Sequence, residues 1–251
     1  MDKFRAYRIN EEDGNIVAAF EELSVDDLSE GNVVVKVSHS TINYKDAMAA
    51  TGAGKILRRY PLVGGIDLAG TVVSSDDDEF AEGDAVLVNG CGLSETVDGG
   101  YAEYARVDSA SLVPIPDGMT AAETMQIGTA GYTAALAIHR MEQNGQLPES
   151  GPIVVNGATG GVGSIAIDML SGRGYEVVAV TGKEEQSDYL KSIGASQILI
   201  RDEIDLGRRP VESAQWAGGI DNLGGDHLAW LTRTVDYGGN IASIGLAASA
   251  K

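Results

Sequence analysis

The sequence predicts an α/β protein in two parts, a small antiparallel β-barrel followed by a doubly wound parallel sheet. Three observations carry this. Residues 32–107 hold short runs of β-formers separated by glycines, at the spacing expected for a small barrel. Residues 153–163 (IVVNGATGGVG) deliver a short apolar run straight into a glycine-rich turn. After that turn, strand-like and helical patterns alternate, which is the signature of parallel strands joined by right-handed crossovers.

Taken in order, Asn32–Ser40 (NVVVKVSHS) alternates with period two and is rich in β-branched residues. Pro61–Ser74 (PLVGGIDLAGTVVS) reads as two short strands whose glycines mark bends or close backbone approach. Gly83-Asp84 introduces AVLVNG, and Gly99-Gly100 introduces the alternating run YAEYARV. Pro114 and Pro116 then flank a break, and residues 121–143 are helical in pattern. The boundary is therefore expected near residue 120, with residues 1–120 in the first domain and 121–251 in the second.

In the second part, strands are expected at Ile153–Asn156, Val177–Thr181, Gln197–Ile200, Gly219–Asp221 and Asn240–Ile244. Helices are expected near Val162–Ser171, Glu184–Ile193 and Asp226–Val235. A full dinucleotide-binding sheet usually has six strands in the order 3-2-1-4-5-6. Only five are counted before the closing Ala-Ser-Ala-Lys, so the sixth is expected to be missing.

Composition narrows the function classes. With 18 Lys and Arg against 37 Asp and Glu, the formal charge is −19. Such a surface repels nucleic acid and anionic membranes, so neither is an expected partner. Acidic runs such as Glu11-Glu12-Asp13 and Asp76-Asp77-Asp78-Glu79 read as solvated loop charges. No apolar stretch is long enough to span a bilayer, and the N-terminus lacks a signal peptide's apolar segment. A single cysteine, Cys91, excludes an internal disulfide and fits a reducing, cytoplasmic compartment. Against the acidic background, Lys55, Arg58 and Arg59 form a small basic island, either a solvated turn or a contact for a phosphate-bearing substrate.

The glycine turn is the strongest chemical signal. A strand, a tight turn and a helix N-terminus present backbone N–H groups and a favourable dipole to a pyrophosphate. The candidate cradle is Gly157, Ala158, Thr159, Gly160, Gly161, Val162 and Gly163, with alanine at the first of the three usual glycine positions. NAD-specific sites place a carboxylate at the end of the second strand, about 20 residues on. Here the tip reads Thr181-Gly182-Lys183, and Thr181 and Lys183 can instead hold a 2′-phosphate. An ordinary exposed lysine at a helix start is the alternative for Lys183. NADP(H) is the expected cofactor.

These residues carry a family resemblance. The β-rich unit followed by a dinucleotide fold resembles the medium-chain dehydrogenase/reductase superfamily, which implies a GroES-like first domain and a Rossmann second domain. Within it, Asn43-Tyr44-Lys45-Asp46, Gly52-x-Gly54-Lys55, Gly65-Ile66-Asp67-x-Ala69-Gly70, Gly128-Thr129-Ala130-Gly131-Tyr132-Thr133-Ala134 and Asp188-Tyr189-Leu190-Lys191 are similar to the YhdH/AcuI-type quinone oxidoreductases and acrylyl-CoA reductases. Zinc-dependent members of the superfamily bind metal at three loops. The matching positions here are Asn43, Ile66 and Thr129, which are not a zinc ligand set, and His39, His139 and His227 are scattered. A zinc-independent enzyme is implied.

Without zinc, hydride transfer to an activated C=C bond is the natural chemistry, because a thioester or ketone already delocalises the incoming charge. The resemblance makes Tyr44 a candidate proton donor, since a phenol can protonate an enolate carbon. A packed aromatic residue is the competing role for it. Asn43 is expected to orient substrate or cofactor, Asp46 to fix the loop or the surroundings of Tyr44, and Asp67 to lie close to the reacting groups. Thr129 and Thr133 are expected against the nicotinamide or its phosphates. Asn222 and Gly245 follow the fourth and fifth strands, where the cofactor should run.

The leading expectation is an NADPH-dependent acrylyl-CoA reductase, with Lys55, Arg58 and Arg59 as candidate CoA contacts. The alternatives are an NADPH:quinone or enone reductase, and a shortened chain that binds NADP without catalysis. The resemblance also implies a homodimer paired through the sixth strand and a return segment after it.

Overall fold

The computed structural model describes residues 3–207, 209, 212–245 and 247. The chain divides by packing into two compact units, residues 1–129 and 130–251.

The first unit contains β1 (Phe4–Glu12), β2 (Asn15–Leu23), β3 (Val33–His39), α1 (Tyr44–Thr51), β4 (Leu62–Val63), β5 (Asp67–Ser75), β6 (Ala85–Asn89), β7 (Tyr104–Val107) and β8 (Val113–Pro114). All pairings are antiparallel, in a three-stranded sheet β2-β1-β4 and a five-stranded sheet β7-β3-β5-β6-β8. Alternating residues Val33, Val35, Leu68, Val72, Val86 and Val88 turn inward and form the core of the larger sheet.

The β1–β2 hairpin and helix α1 carried no clear sequence signal. Asp13 (φ 51) and Gly14 (φ 80) make a two-residue left-handed hairpin turn. Glu11 and Glu12 therefore lie at the exposed end of a strand rather than in a loop. Nor is Asp77 a purely solvated charge: its carboxylate accepts Ser109 Oγ at 2.7 Å. The expected strand over YAEYARV begins only at Tyr104, where residues 101–103 are shared with β1 (Tyr7 N to Tyr101 O, 2.7 Å; Glu103 N to Arg5 O, 3.1 Å) while Glu103 O still accepts Val37 N of β3 at 2.9 Å.

Helix α2 (Ala121–Gln143) links the units and is not one continuous helix, because Gly128 sits at φ 50, ψ −161. That conformation is open to glycine and closed to most residues. The packing boundary falls at this break rather than at the helix start near residue 120.

The second unit continues with β9 (Ile153–Asn156), α3 (Gly161–Gly172), β10 (Val177–Thr181), α4 (Ser187–Ser192), β11 (Gln197–Ile200), β12 (Trp216–Asp221), α5 (Gly225–Thr234) and β13 (Val235–Ser243). The strands form a parallel sheet in the order β11-β10-β9-β12-β13, which is 3-2-1-4-5 by first appearance. Ile153 and Val155 point to one face, packing on Ala166, Ile167 and Leu170 of α3 and on Ala134 and Ile138 of α2. Val154, Val178 and Val180 point to the other, against Trp230 and Leu231 of α5. Both faces are covered, which is why these strands read as unbroken apolar runs. The last strand starts earlier than expected, since Val235 already pairs with Trp216 before a register shift.

Candidate active site

In the first unit, the carboxylate of Asp67 is the centre of a polar cluster. Asp67 is fully buried at the start of β5 and accepts four hydrogen bonds. The donors are Asn43 Nδ2 (2.8 Å), Asn89 Nδ2 (2.8 Å), the Thr129 amide (3.1 Å) and Thr129 Oγ1 (2.5 Å). Burying a carboxylate costs free energy unless its lone pairs are satisfied, and here they are. The kink at Gly128 explains how Thr129 reaches it. A methyl group on Gly128 would stand 2.9 Å from Thr41 Cγ2 and 3.2 Å from Asp67 Oδ2. Glycine thus allows the close approach and releases the Thr129 amide from the helix.

Asp46 forms a second anchor. From the first turn of α1 its carboxylate accepts the Asn43 amide (2.8 Å) and the Ile66 amide (3.0 Å), joining the helix start to the loop before β5. Burial pushes its carboxyl up from the ordinary range, against the lowering effect of those hydrogen bonds. Beside it lies Tyr101, whose hydroxyl donates to Thr41 O at 2.9 Å. Burial, and then the Asp46 charge, raise the Tyr101 phenol well above its usual value.

So the three positions matched to zinc ligands are engaged in loop anchoring: Asn43 and Thr129 on Asp67, and Ile66 on Asp46. Among the described residues no group of three or more His, Cys, Asp or Glu is placed to hold a metal ion.

Tyr44 is the first residue of α1 and is 64% exposed, so it is not a packed aromatic. Asp46 does steady a tyrosine, but the tyrosine is Tyr101. Asn89 and Tyr101 are the members of this cluster that sequence reasoning missed. Asp46 and Tyr101 line an open groove of about 690 Å³ together with Ser40, Ile42 and Phe20. In the basic island, Lys55 and Arg58 are exposed. Arg59 is tied down, its guanidinium donating to Ser29 Oγ (2.7 Å) and Thr96 O (2.9 Å).

In the second unit, β9 runs into Gly157 (φ 59), and α3 begins after Gly160. The left-handed residue of the turn is Gly157, one position before Ala158. This explains the tolerated alanine, whose side chain is fully buried and whose amide bonds Val180 O at 3.2 Å. A methyl group on Gly163 would come within 2.4 Å of Gly157 O, so helix and turn are packed backbone to backbone. The amides of Gly161, Val162 and Gly163 occupy the first helical turn, where no preceding carbonyl can accept them.

Next to the turn, the Asn222 side chain donates to Asn156 O (2.8 Å), and its amide bonds Asn156 Oδ1 (2.6 Å). Among the described residues, Asn222 Oδ1 is buried without a partner. Gly245 packs on the Asn222 backbone, where a methyl group would stand 2.0 Å from Asn222 O. Thr133 lies along α2 in a depression that also includes Asn240 and Ile244. At the tip of β10, Thr181 Oγ1 accepts the Lys183 amide at 3.0 Å, and Lys183 is exposed. Open first-turn amides, a glycine-built turn and an orphan acceptor fit a dinucleotide.

A parallel sheet ordered 3-2-1-4-5 with this turn at its first strand, after an antiparallel β unit, defines a medium-chain dehydrogenase/reductase. Residues 29–117 match the alcohol dehydrogenase GroES-like domain. The chain is 47% identical over 244 residues to YhfP of Bacillus subtilis, which carries a quinone oxidoreductase name, covering 97% of this chain and 74% of that protein. It is 46% identical to the acrylyl-CoA reductase AcuI of Ruegeria pomeroyi, covering 96% and 73% of the two chains.

Among solved structures, Escherichia coli YhdH with bound NADPH superposes with a TM-score of 0.94 at 47% identity, covering 98% of this chain and 76% of that one. YhfP with NAD bound also gives 0.94, at 45% identity, covering 100% and 77%. The chain belongs to the YhdH/AcuI family of oxidoreductases and spans about three quarters of these relatives' length.

Proposed function

We propose that the chain is an NADPH-dependent reductase of a short α,β-unsaturated acyl thioester, acrylyl-CoA being the favoured substrate. The observation that carries this reading is the β10 tip, which offers Thr181 and Lys183 where NAD-specific folds place a carboxylate. The acrylyl-CoA reductase name of AcuI supports the substrate class. The amides of Gly161, Val162 and Gly163 would hold the pyrophosphate, Thr133, Asn222 and Gly245 would line the nicotinamide half, and Thr181 and Lys183 would take the 2′-phosphate.

When bound, NADPH supplies the hydride that adds to the β-carbon. The first unit's residues manage the other half of the reaction. Asp67 is a positioning residue, holding the Asn43 amide and the Thr129 hydroxyl in one orientation. Asn43 and Thr129 orient the reacting groups, and Asp46 locks the start of α1, from which Tyr44 gives a proton to the α-carbon. Lys55 and Arg58 bind the CoA phosphates, with Arg59 serving the loop. Cys91 is an exposed free thiol, which fits a cytoplasmic location.

The test is turnover with NADPH of acrylyl-CoA beside a soluble quinone, in the wild type and in a Lys55→Gln/Arg58→Gln variant. The reading expects acrylyl-CoA to be preferred, and the double variant to raise its KM several-fold with kcat and quinone turnover little changed. A quinone preference, insensitive to the island, would favour the activity that YhfP's name suggests.

A further inference from the structure

Asn43 and Tyr44 are delivered to the start of α1 by residues 40–43, which have no regular structure and include the exposed Ile42. A segment of that kind holds a side chain in one geometry only when it is tied down from outside. Ser40 Oγ donates to Asp67 O at 2.6 Å, and the Thr41 side chain packs over Gly128. A third tie comes from a residue distant in sequence, the Tyr101 hydroxyl, which donates to Thr41 O at 2.9 Å.

Tyr101 is itself held at every part. Its amide donates to Gly64 O (2.9 Å), and its carbonyl accepts the Tyr7 amide (2.7 Å). Its ring lies on the backbone of Gly64 and Gly65. A methyl group on Gly65 would stand 2.6 Å from Tyr101 Cδ1, 2.8 Å from Cγ and 2.9 Å from Cε1, and one on Gly64 would stand 3.2 Å from Cδ2. The two glycines before Ile66-Asp67 are therefore the seat of this ring. A ring so confined carries its hydroxyl to a fixed point. The raised phenol keeps its proton across the neutral range, so the group remains a donor.

We infer that Tyr101 is a positioning residue for proton delivery: by holding Thr41 O it sets how residues 40–43 enter α1, and so where Asn43 and Tyr44 stand. This deepens the proposed function and rests on Tyr44 as the proton donor. Tyr101 acts through Thr41, since its own hydroxyl hydrogen is engaged there. One neutral hydrogen bond is a small part of the stability of a whole domain, so its loss is read in the geometry of the loop rather than in folding.

The experiment compares wild type, Tyr101→Phe and Tyr104→Phe in NADPH-dependent turnover of acrylyl-CoA, in water and in deuterated water. Hydrogen exchange of residues 40–46 and thermal unfolding are measured on the same proteins without substrate. Tyr101→Phe keeps the ring on its seat and removes only the hydroxyl. It should lower kcat about five- to tenfold with KM within about twofold, and raise the solvent isotope effect on kcat about twofold as proton delivery becomes limiting. Exchange of residues 40–46 should quicken about five- to tenfold, with Tm little changed. Tyr104→Phe loses a hydroxyl from β7, where the ring meets Phe4 at 5.3 Å, and should match wild type. In an active wild type, unchanged kcat or unchanged exchange in Tyr101→Phe would overturn the assignment. So would a fall in kcat without the rise in solvent isotope effect, or with a large drop in Tm, because either marks a merely structural tyrosine. If wild type failed to reduce acrylyl-CoA, the proposed function would fall. Faster exchange in Tyr101→Phe would then keep the anchoring of residues 40–43, and unchanged exchange would remove that as well.

Discussion

Gly163→Ala is the sharpest perturbation of the cofactor cradle. In an ordinary helix the change would be favourable by up to about 1 kcal/mol, because alanine has the higher helix propensity. Here the added methyl would stand 2.4 Å from Gly157 O, 2.9 Å from Ala158 Cα and 3.0 Å from Gly157 C, all backbone atoms. Carbon and oxygen at rest lie about 3.3 Å or more apart, so turn and helix must separate by nearly an ångström. No side chain can swing away to relieve it. Overpacking of this kind costs about 1–3 kcal/mol, and contact with backbone puts it at the upper end.

The net expectation is a loss of about 2 kcal/mol, or roughly 4–8 °C in apparent Tm for a chain of this size. NADPH affinity should fall at least about tenfold, because the first-turn amides move with the helix. Gly172→Ala is the internal control. It lies in the same helix, is exposed, and has nothing within 4 Å of the added methyl, so it should stabilise by about 0.5 kcal/mol. The assays are thermal unfolding and an NADPH titration on both variants. If Gly163→Ala were as stable and bound as tightly as Gly172→Ala, the close-packed cradle would be refuted.

Two further expectations concern the first unit. Asp67→Ala removes a fully buried acceptor of four hydrogen bonds from the half-buried Asn43, Asn89 and Thr129, which should cost about 3 kcal/mol in denaturant unfolding. A loss under about 1 kcal/mol would contradict its organising role. For Asp46, burial raises the folded-state carboxyl above the ordinary 3.8, so the folded protein holds that proton more tightly than the unfolded chain. Its contribution is therefore greatest at low pH and is lost as pH rises from near 3.8 through the raised value. The stability difference between wild type and Asp46→Asn should fall over that interval and then level off, as read from unfolding curves across acidic pH. A difference that grew with pH would reverse the assigned direction.

The second unit was largely legible in the sequence because its signals are local. Strands covered on both faces appear as apolar runs, and the Gly157–Gly163 turn has a fixed spacing. The first unit was less so. Hairpin β1–β2 is exposed on much of its surface and is defined by pairing across Asp13-Gly14 rather than by an apolar pattern. The break at Gly128 was hidden because the residues on either side keep helical patterning, and only contact with Thr41 and Asp67 shows what the glycine is for. Asn89 and Tyr101 join their site through strand pairing across many residues.

The proposed reaction adds a hydride from NADPH to one carbon of an activated double bond and a proton to the other. It is tested most directly by incubating this chain with acrylyl-CoA and nicotinamide-deuterated NADPH, then repeating in deuterated water with ordinary NADPH. Propionyl-CoA is expected to carry cofactor deuterium at the β-carbon in the first case and solvent deuterium at the α-carbon in the second. No consumption of NADPH, or a product without cofactor deuterium, would contradict it.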